Sequence, residues 1–222
     1  MIFRFLWEFP LTTNFSILLV LIYFLVNLTL PHPVIMKHFY SYPRELNPLN
    51  WFLSSLFHSS VSHLTSNILF LFFLGRVVEE RLGTTKWLVF YFMAGILSMM
   101  VDSMVRGFIL GEKFIPAVGA SGAISGLAAV AMVYSPFSYK ILNFRFPFPV
   151  FLVAWMMVYS DFVRLFSSDR VAHWAHLAGF FSVFVTSYLL SEKDREKIKT
   201  NFGLNFIFFI MTVILLFFLE NR

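Results

Sequence analysis

The chain has 222 residues, 59% of them hydrophobic and only 13% charged, with a formal net charge of +5 and a mean hydropathy of +0.76. Soluble domains carry about a quarter charged residues, so a water-soluble globule is excluded and most side chains must face lipid or one another. Zero Cys removes disulfide frameworks and thiolate metal sites, and basic residues confined to short tracts between apolar runs argue against nucleic acid as a partner.

Crossing the hydrocarbon takes about 20 apolar residues in a helix. Seven stretches qualify: 13–30, 61–78, 86–105, 117–135, 147–166, 171–190 and 203–219. The expectation is an all-α polytopic membrane protein. A six-span core occupies 1–191, a charged linker 192–202, and an additional C-terminal span lies within 203–222. The first apolar run, Phe15 to Leu30, lacks a small-residue cleavage site and reads as a retained span. The loop over 31–60 interleaves Pro31, Pro33, Pro43 and Pro48 with aromatic residues, which suits a segment lying in the membrane interface. Ser167-Ser168-Asp169-Arg170 is a very short turn between the fifth and sixth spans. The tract from Glu192 to Lys199 alternates in charge and reads as solvated.

Placing the N-terminus inside puts ten Lys or Arg on the inner side: Arg4, Arg76, Arg81, Lys86, Lys140, Arg145, Lys193, Arg195, Lys197 and Lys199. The outer side then holds seven, namely Lys37, Arg44, Arg106, Lys113, Arg164, Arg170 and Arg222. That excess favours a cytoplasmic N-terminus in the cell membrane.

Polar groups inside spans are costly and mark function. The second span carries Ser62-His63-Leu64-Thr65-Ser66-Asn67, the fourth Gly119-Ala120-Ser121-Gly122, and the sixth His173-Trp174-Ala175-His176. These spans run in the same direction, and in each the polar group lies near the starting end. His63, Ser121 and His176 are therefore expected at one depth, below the outer face. Serine needs a neighbouring base to become a nucleophile, and neutral imidazole suits that task. His63 and Asn67, four apart on one helix face, can aim two donors at an oxyanion.

At these residues the chain resembles the rhomboid family of intramembrane proteases. The resemblance runs from about Trp51 to Leu190 and rests on four tracts in order. They are His58 with His63-Leu64-Thr65-Ser66-Asn67, Glu79-Glu80-Arg81-Leu82-Gly83, Gly119-Ala120-Ser121-Gly122 and Ala175-His176-Leu177-Ala178-Gly179. It implies Ser121 as nucleophile and His176 as general base in a dyad without an acid. It further implies an oxyanion hole of His63, Asn67 and the Ser121 N–H, a membrane-embedded first loop over 31–60, and structural roles for Glu79 and Arg81. Single-span membrane proteins would be the substrates, with no cofactor or metal. Three positions depart from the family pattern: Phe52 follows Trp51, Ser125 replaces an aromatic that packs on the catalytic His, and Val183 stands where a glycine is common. What orients His176 is thus left unassigned.

Each residue also has a plainer reading. Ser125 is the rival nucleophile. His173 is the rival base, although its place nearer the span end suits a water-exposed group. His58 reads as loop packing, and His63 and Asn67 could serve as interhelical hydrogen-bond glue. Asp161 is expected to pair with Arg164 at i+3 rather than complete a triad, and Glu79, Glu80 and Arg81 to form a surface ion cluster. A non-catalytic chaperone on the same fold, or a small proton-relaying transporter, are the competing function classes; the apolar lower halves of the spans, such as Leu69 to Leu74, speak against the transporter.

Overall fold

The computed structural model describes residues 6–220 apart from 168 and 170. Arg4, Arg170 and Arg222 of the charge comparison, and half of the turn at 167–170, lie outside the described residues. In chain order the elements are α1 (Pro10–Thr29), α2 (His32–Phe39), α3 (Pro48–Ser54) and α4 (Val61–Phe70), then a π-type turn (Leu71–Gly75) leading into α5 (Arg76–Met104). A second π-type turn (Val105–Ile109) precedes α6 (Ser121–Tyr134), and then come β1 (Ser138–Ile141), β2 (Phe144–Pro147), α7 (Val150–Val163), α8 (His173–Ser187) and α9 (Glu192–Glu220).

Among the described residues, Pro10–Thr29, Val61–Ile109 and Glu192–Leu219 are long and apolar enough to cross a membrane, while Ser121–Tyr134 and Val150–Val163 are apolar but shorter. The protein is an integral membrane protein. The Val61–Ile109 stretch is not one rod. At Gly83 the backbone turns to φ 74 and ψ 178, a conformation open to glycine at little cost, and the chain doubles back. Trp87 Nε1 consequently donates to the Gly75 carbonyl at 3.0 Å, a contact that twelve residues of straight helix, about 18 Å, would forbid.

The centre of the molecule is α6, in which every residue from Gly122 to Val133 is buried. A helix apolar on all sides belongs inside a bundle. Small residues set how closely its neighbours approach: a Cβ on Gly126 would lie 2.3 Å from the Ala94 Cβ of α5. One on Gly179 of α8 would lie 2.0 Å from the Gly122 carbonyl oxygen. The close contact that Val183 cannot provide is therefore made by Gly122, Gly126 and Gly179. At 14 residues, α6 is about 21 Å long, so it starts at Ser121 rather than near 117. The backbone before it is extended and held by paired bonds between Ser41 and Ala117, at 3.0 and 2.8 Å.

One feature is added to the helical architecture and two expectations are corrected. Helices dominate, and β1 and β2 form an antiparallel hairpin with Tyr139 opposite Phe146. Tyr139 stacks on Phe73 at 4.5 Å, so the alternating apolar side chains of this stretch have a surface to cover. The tract over 192–202 is not a linker but the first turns of α9. Its Glu and Lys residues are good helix formers, and Ile198 and Phe202 bury its inner face. Glu79 is not part of a surface cluster: it is buried and accepts from the N–H groups of Leu11 and Thr12 at 2.9 and 2.8 Å. A carboxylate far along the chain thus caps α1, whose own N-cap residue, Phe9, has no side chain able to do so.

The last helix is tied to the bundle at its charged end. Lys86 donates to Asp194 at 2.7 Å, with further bonds from Ser191 at 2.8 Å and the Tyr134 hydroxyl at 3.0 Å. The Lys86 ammonium, followed by the Ser191 and Tyr134 hydroxyls, holds the Asp194 carboxyl below the usual carboxylate range. A depressed carboxylate stabilises the fold above its unfolded value, about 3.9, and loses that contribution as pH falls through the folded value. Amide protection over Glu192 to Lys199, relative to the intrinsic exchange rate at each pH, should therefore hold at neutral pH and be lost only in acid below about pH 4. The Asp194→Asn variant should show the loss already at pH 7. Equal exchange in variant and wild type at pH 7 would remove Asp194 from this role.

Candidate active site

Ser121 opens α6. The first backbone bond of that helix runs from Ile124 N–H to the Ala120 carbonyl, so the N–H groups of Ser121, Gly122 and Ala123 project from the helix end, where the dipole is positive. Ser121 Oγ lies 2.8 Å from His176 Nε2 on α8. The pairing follows from the glycine contact one turn below, because Gly122 and Gly179 bring the two backbones together.

His63 and Asn67 on α4 face the same spot. A Cβ built on Gly119 would meet His63 Cε1 and Nε2 at 2.6 and 2.7 Å and Asn67 Nδ2 at 3.5 Å. Gly119 has φ 132, a left-handed conformation that side chains avoid, and its N–H donates to the Ser54 carbonyl at 2.9 Å. The first loop thereby fixes the backbone just ahead of Ser121. Asn67 Nδ2 is buried and has no hydrogen-bond partner among the described residues. A donor left so is costly, and its position is that of a group awaiting an acceptor. His63 Nδ1 lies 3.1 Å from Ser59 Oγ. His58 is buried beside it, the two rings 5.3 Å apart and edge to face.

Ser121, His176, His63 and Asn67 thus converge. The rivals resolve differently. Ser125 Oγ donates back to the Ser121 carbonyl at 2.9 Å, the ordinary fate of a helical serine. His173 is not water-exposed: only 5% of it is accessible, and its Nδ1 lies 2.7 Å from Asp161 Oδ1. Asp161 makes no ion pair with Arg164 among the described residues; its Oδ1 also lies 2.8 Å from His176 Nδ1. The i+3 expectation fails because the last turn of α7 points Asp161 into α8 rather than along its own surface. On its other side His173 Nε2 meets Asp169 Oδ1 at 3.1 Å. Ligand-capable atoms of Asp161, His173 and His176 lie within 4.8 Å of one another.

These groups line one side of a cavity of about 1850 Å³, larger than the 300–1,000 Å³ usual for small-molecule sites. Its remaining walls include Phe70 of α4 and Leu152, Met156 and Met157 of α7. The lining is mostly apolar, and the Ser121 hydroxyl lies at its wall.

A family model described as Rhomboid domain matches residues 46–193. The chain is 28% identical over 130 residues to Rhomboid-like protease 3 of Toxoplasma gondii, covering 56% of this chain and 45% of that protein. It is 25% identical over 174 residues to Rhomboid protease GlpG of Pectobacterium atrosepticum, covering 77% and 59%. Against RHOMBOID-like protein 2 of Arabidopsis thaliana it is 24% identical over 170 residues, covering 72% and 51%. The chain spans about half the length of these relatives.

Proposed function

The chain belongs to the rhomboid family, and from that membership we propose that it is an intramembrane serine endopeptidase that cuts transmembrane segments of other proteins. The observation that carries the reading is the 2.8 Å contact of Ser121 Oγ with His176 Nε2, beside a buried and unpartnered Asn67 amide.

His176 Nε2 takes the Ser121 proton as Oγ attacks the peptide carbonyl carbon. The oxyanion that forms is held by the Ser121 N–H, Asn67 Nδ2 and His63 Nε2. A Ser59 hydroxyl that donates to His63 Nδ1, 3.1 Å away, places the ring's hydrogen on Nε2, where an oxyanion needs it. Collapse breaks the C–N bond, and His176 returns its proton to the leaving amine. Water then attacks the acyl-enzyme with His176 again as base, releasing the acid and restoring Ser121. Seven crossings, a cytoplasmic N-terminus and a site opening toward the outer face complete the proposed topology; the Gly83 reversal and the lysine and arginine bias support it.

The test is a reconstituted single-span substrate together with a serine-reactive fluorophosphonate. Wild type should cleave and be labelled, whereas Ser121→Ala should do neither. A wild type that does neither would leave the non-catalytic reading of the fold. Asn67→Ala should lower kcat about 10²-fold, the usual cost of one oxyanion donor, with KM little changed. A raised KM at unchanged kcat would instead assign Asn67 to ground-state binding.

A further inference from the structure

We propose that Asp161 is a positioning residue for His176, extending the pair to a Ser121–His176–Asp161 relay whose far end is anchored by His173 and Asp169. The inference rests on the protease reading above and goes beyond the acid-free dyad expected from the family resemblance.

The geometry is that of a hydrogen-bond chain. Asp161 Oδ1 faces His176 Nδ1 at 2.8 Å, while Nε2 of the same ring faces Ser121 Oγ at 2.8 Å. A carboxylate only accepts, so Nδ1 must carry the hydrogen, and Nε2 then presents a lone pair to the serine. That is the tautomer a general base needs. The carboxylate also opposes the positive charge that His176 gains when it takes the proton.

Asp161 is held for this task from behind. His173 Nδ1 contacts the same Oδ1 at 2.7 Å, and His173 Nε2 reaches Asp169 at 3.1 and 3.2 Å. An Asp in the last turn of an apolar helix, buried to 8% exposure, is costly unless donors satisfy it. Here two imidazoles do so. This supplies the support for His176 that Ser125, in place of an aromatic, cannot.

The three groups also meet the minimum for a metal site, but the distances decide otherwise. Ligand atoms around a tetrahedral zinc, with bonds of about 2.0 Å, stand roughly 3.3 Å apart. The contacts at 2.7 and 2.8 Å are those of donor and acceptor.

The experiment compares wild type, Asp161→Asn, Asp161→Glu and Ser121→Ala on the single-span substrate from pH 5 to 9. The charged or titratable groups near His176 are Asp161 from α7, His173 on its own helix with Asp169 behind it, His63 from α4 and Asp102 from α5. Only the first changes in the Asn variant. Its kcat should fall by on the order of 10²-fold, at the low end of general-base contributions, with KM unchanged. The acid limb of kcat/KM should move to lower pH, because an anion that favours imidazolium has gone. Asp161→Glu should recover part of the loss. A purely structural tie between α7 and α8 would not move the acid limb.

Wild-type kcat and acid limb in Asp161→Asn, with wild type active and Ser121→Ala dead, would overturn the inference and leave the protease reading intact. An inactive wild type would instead sink the reading itself. Activity lost to a chelator and restored by zinc would also overturn the relay. A second measurement needs no variant: ¹⁵N shifts of the histidines in the wild-type protein should show the neutral His176 ring protonated at Nδ1. Protonation at Nε2 would overturn the proposal.

Discussion

Ser121→Ala and His176→Ala are each expected to reduce cleavage to the same floor, and the double variant to fall no further. Nucleophile and base act as one unit, so removing either forfeits nearly the whole effect, on the order of 10⁶-fold in kcat for such a pair. Stability should barely change, because neither truncation opens a space in the packed core: both side chains are only half-buried and line the cavity. Ser125 cannot substitute, since its hydroxyl is already spent on the Ser121 carbonyl at 2.9 Å and it is buried. Cleavage that survives Ser121→Ala but not Ser125→Ala would exchange their roles. Melting curves that match wild type, measured beside the cleavage assay, separate lost chemistry from lost fold.

The convergence of Ser121, His63 and His176 was legible because it rests on counting: in the seven-span reading two crossings separate each of their spans from the next, so polar starts of same-direction helices share a depth. The same counting could have found Asp161. Span five runs opposite to span six, so the end of α7 must lie beside the start of α8, where His173 and His176 stand. The i+3 pairing with Arg164, preferred to a triad on local spacing, hid this, because local spacing rules do not see across a turn. Glu79 escaped for a related reason. Its partners, the N–H groups of Leu11 and Thr12, carry no side-chain signature, and a chain seldom advertises which helix end it caps at long range. The hairpin was missed because Tyr139, Ile141, Phe144 and Phe146 alternate over too few residues to stand out in a chain with 31 Phe. The late start of α6 had a visible signal, Gly119, but its φ of 132 is set by the Ser54 carbonyl and by His63, both distant in sequence.

Gly179→Ala is expected to be the most damaging single methyl in the protein. The added carbon would stand 2.0 Å from the Gly122 carbonyl oxygen and 2.8 Å from the Gly122 carbonyl carbon. Both obstacles are backbone within a helix, so no side chain can rotate away, and α8 must retreat from α6 by more than 1 Å to reach van der Waals distance. Overpacking of this kind costs about 1–3 kcal/mol. The functional loss should be larger than that cost implies. His176 sits one turn from Gly179 on α8, and Ser121 adjoins Gly122 on α6, so the retreat stretches the 2.8 Å contact between Oγ and Nε2. A misplacement of about 1 Å at a reacting pair is worth on the order of 10²-fold in rate. Gly203→Ala is the control, since nothing lies within 4 Å of a Cβ there. In the interior of α9 the change should be neutral or stabilising by about 0.5–1 kcal/mol, because alanine is the better helix former. Melting temperature and fluorophosphonate labelling rate, measured on both variants, should therefore move only for Gly179→Ala. If that variant melts and labels like wild type, the helices are not held together through this glycine contact, and the alignment of Ser121 with His176 must be enforced by the Asp161 side of the site alone.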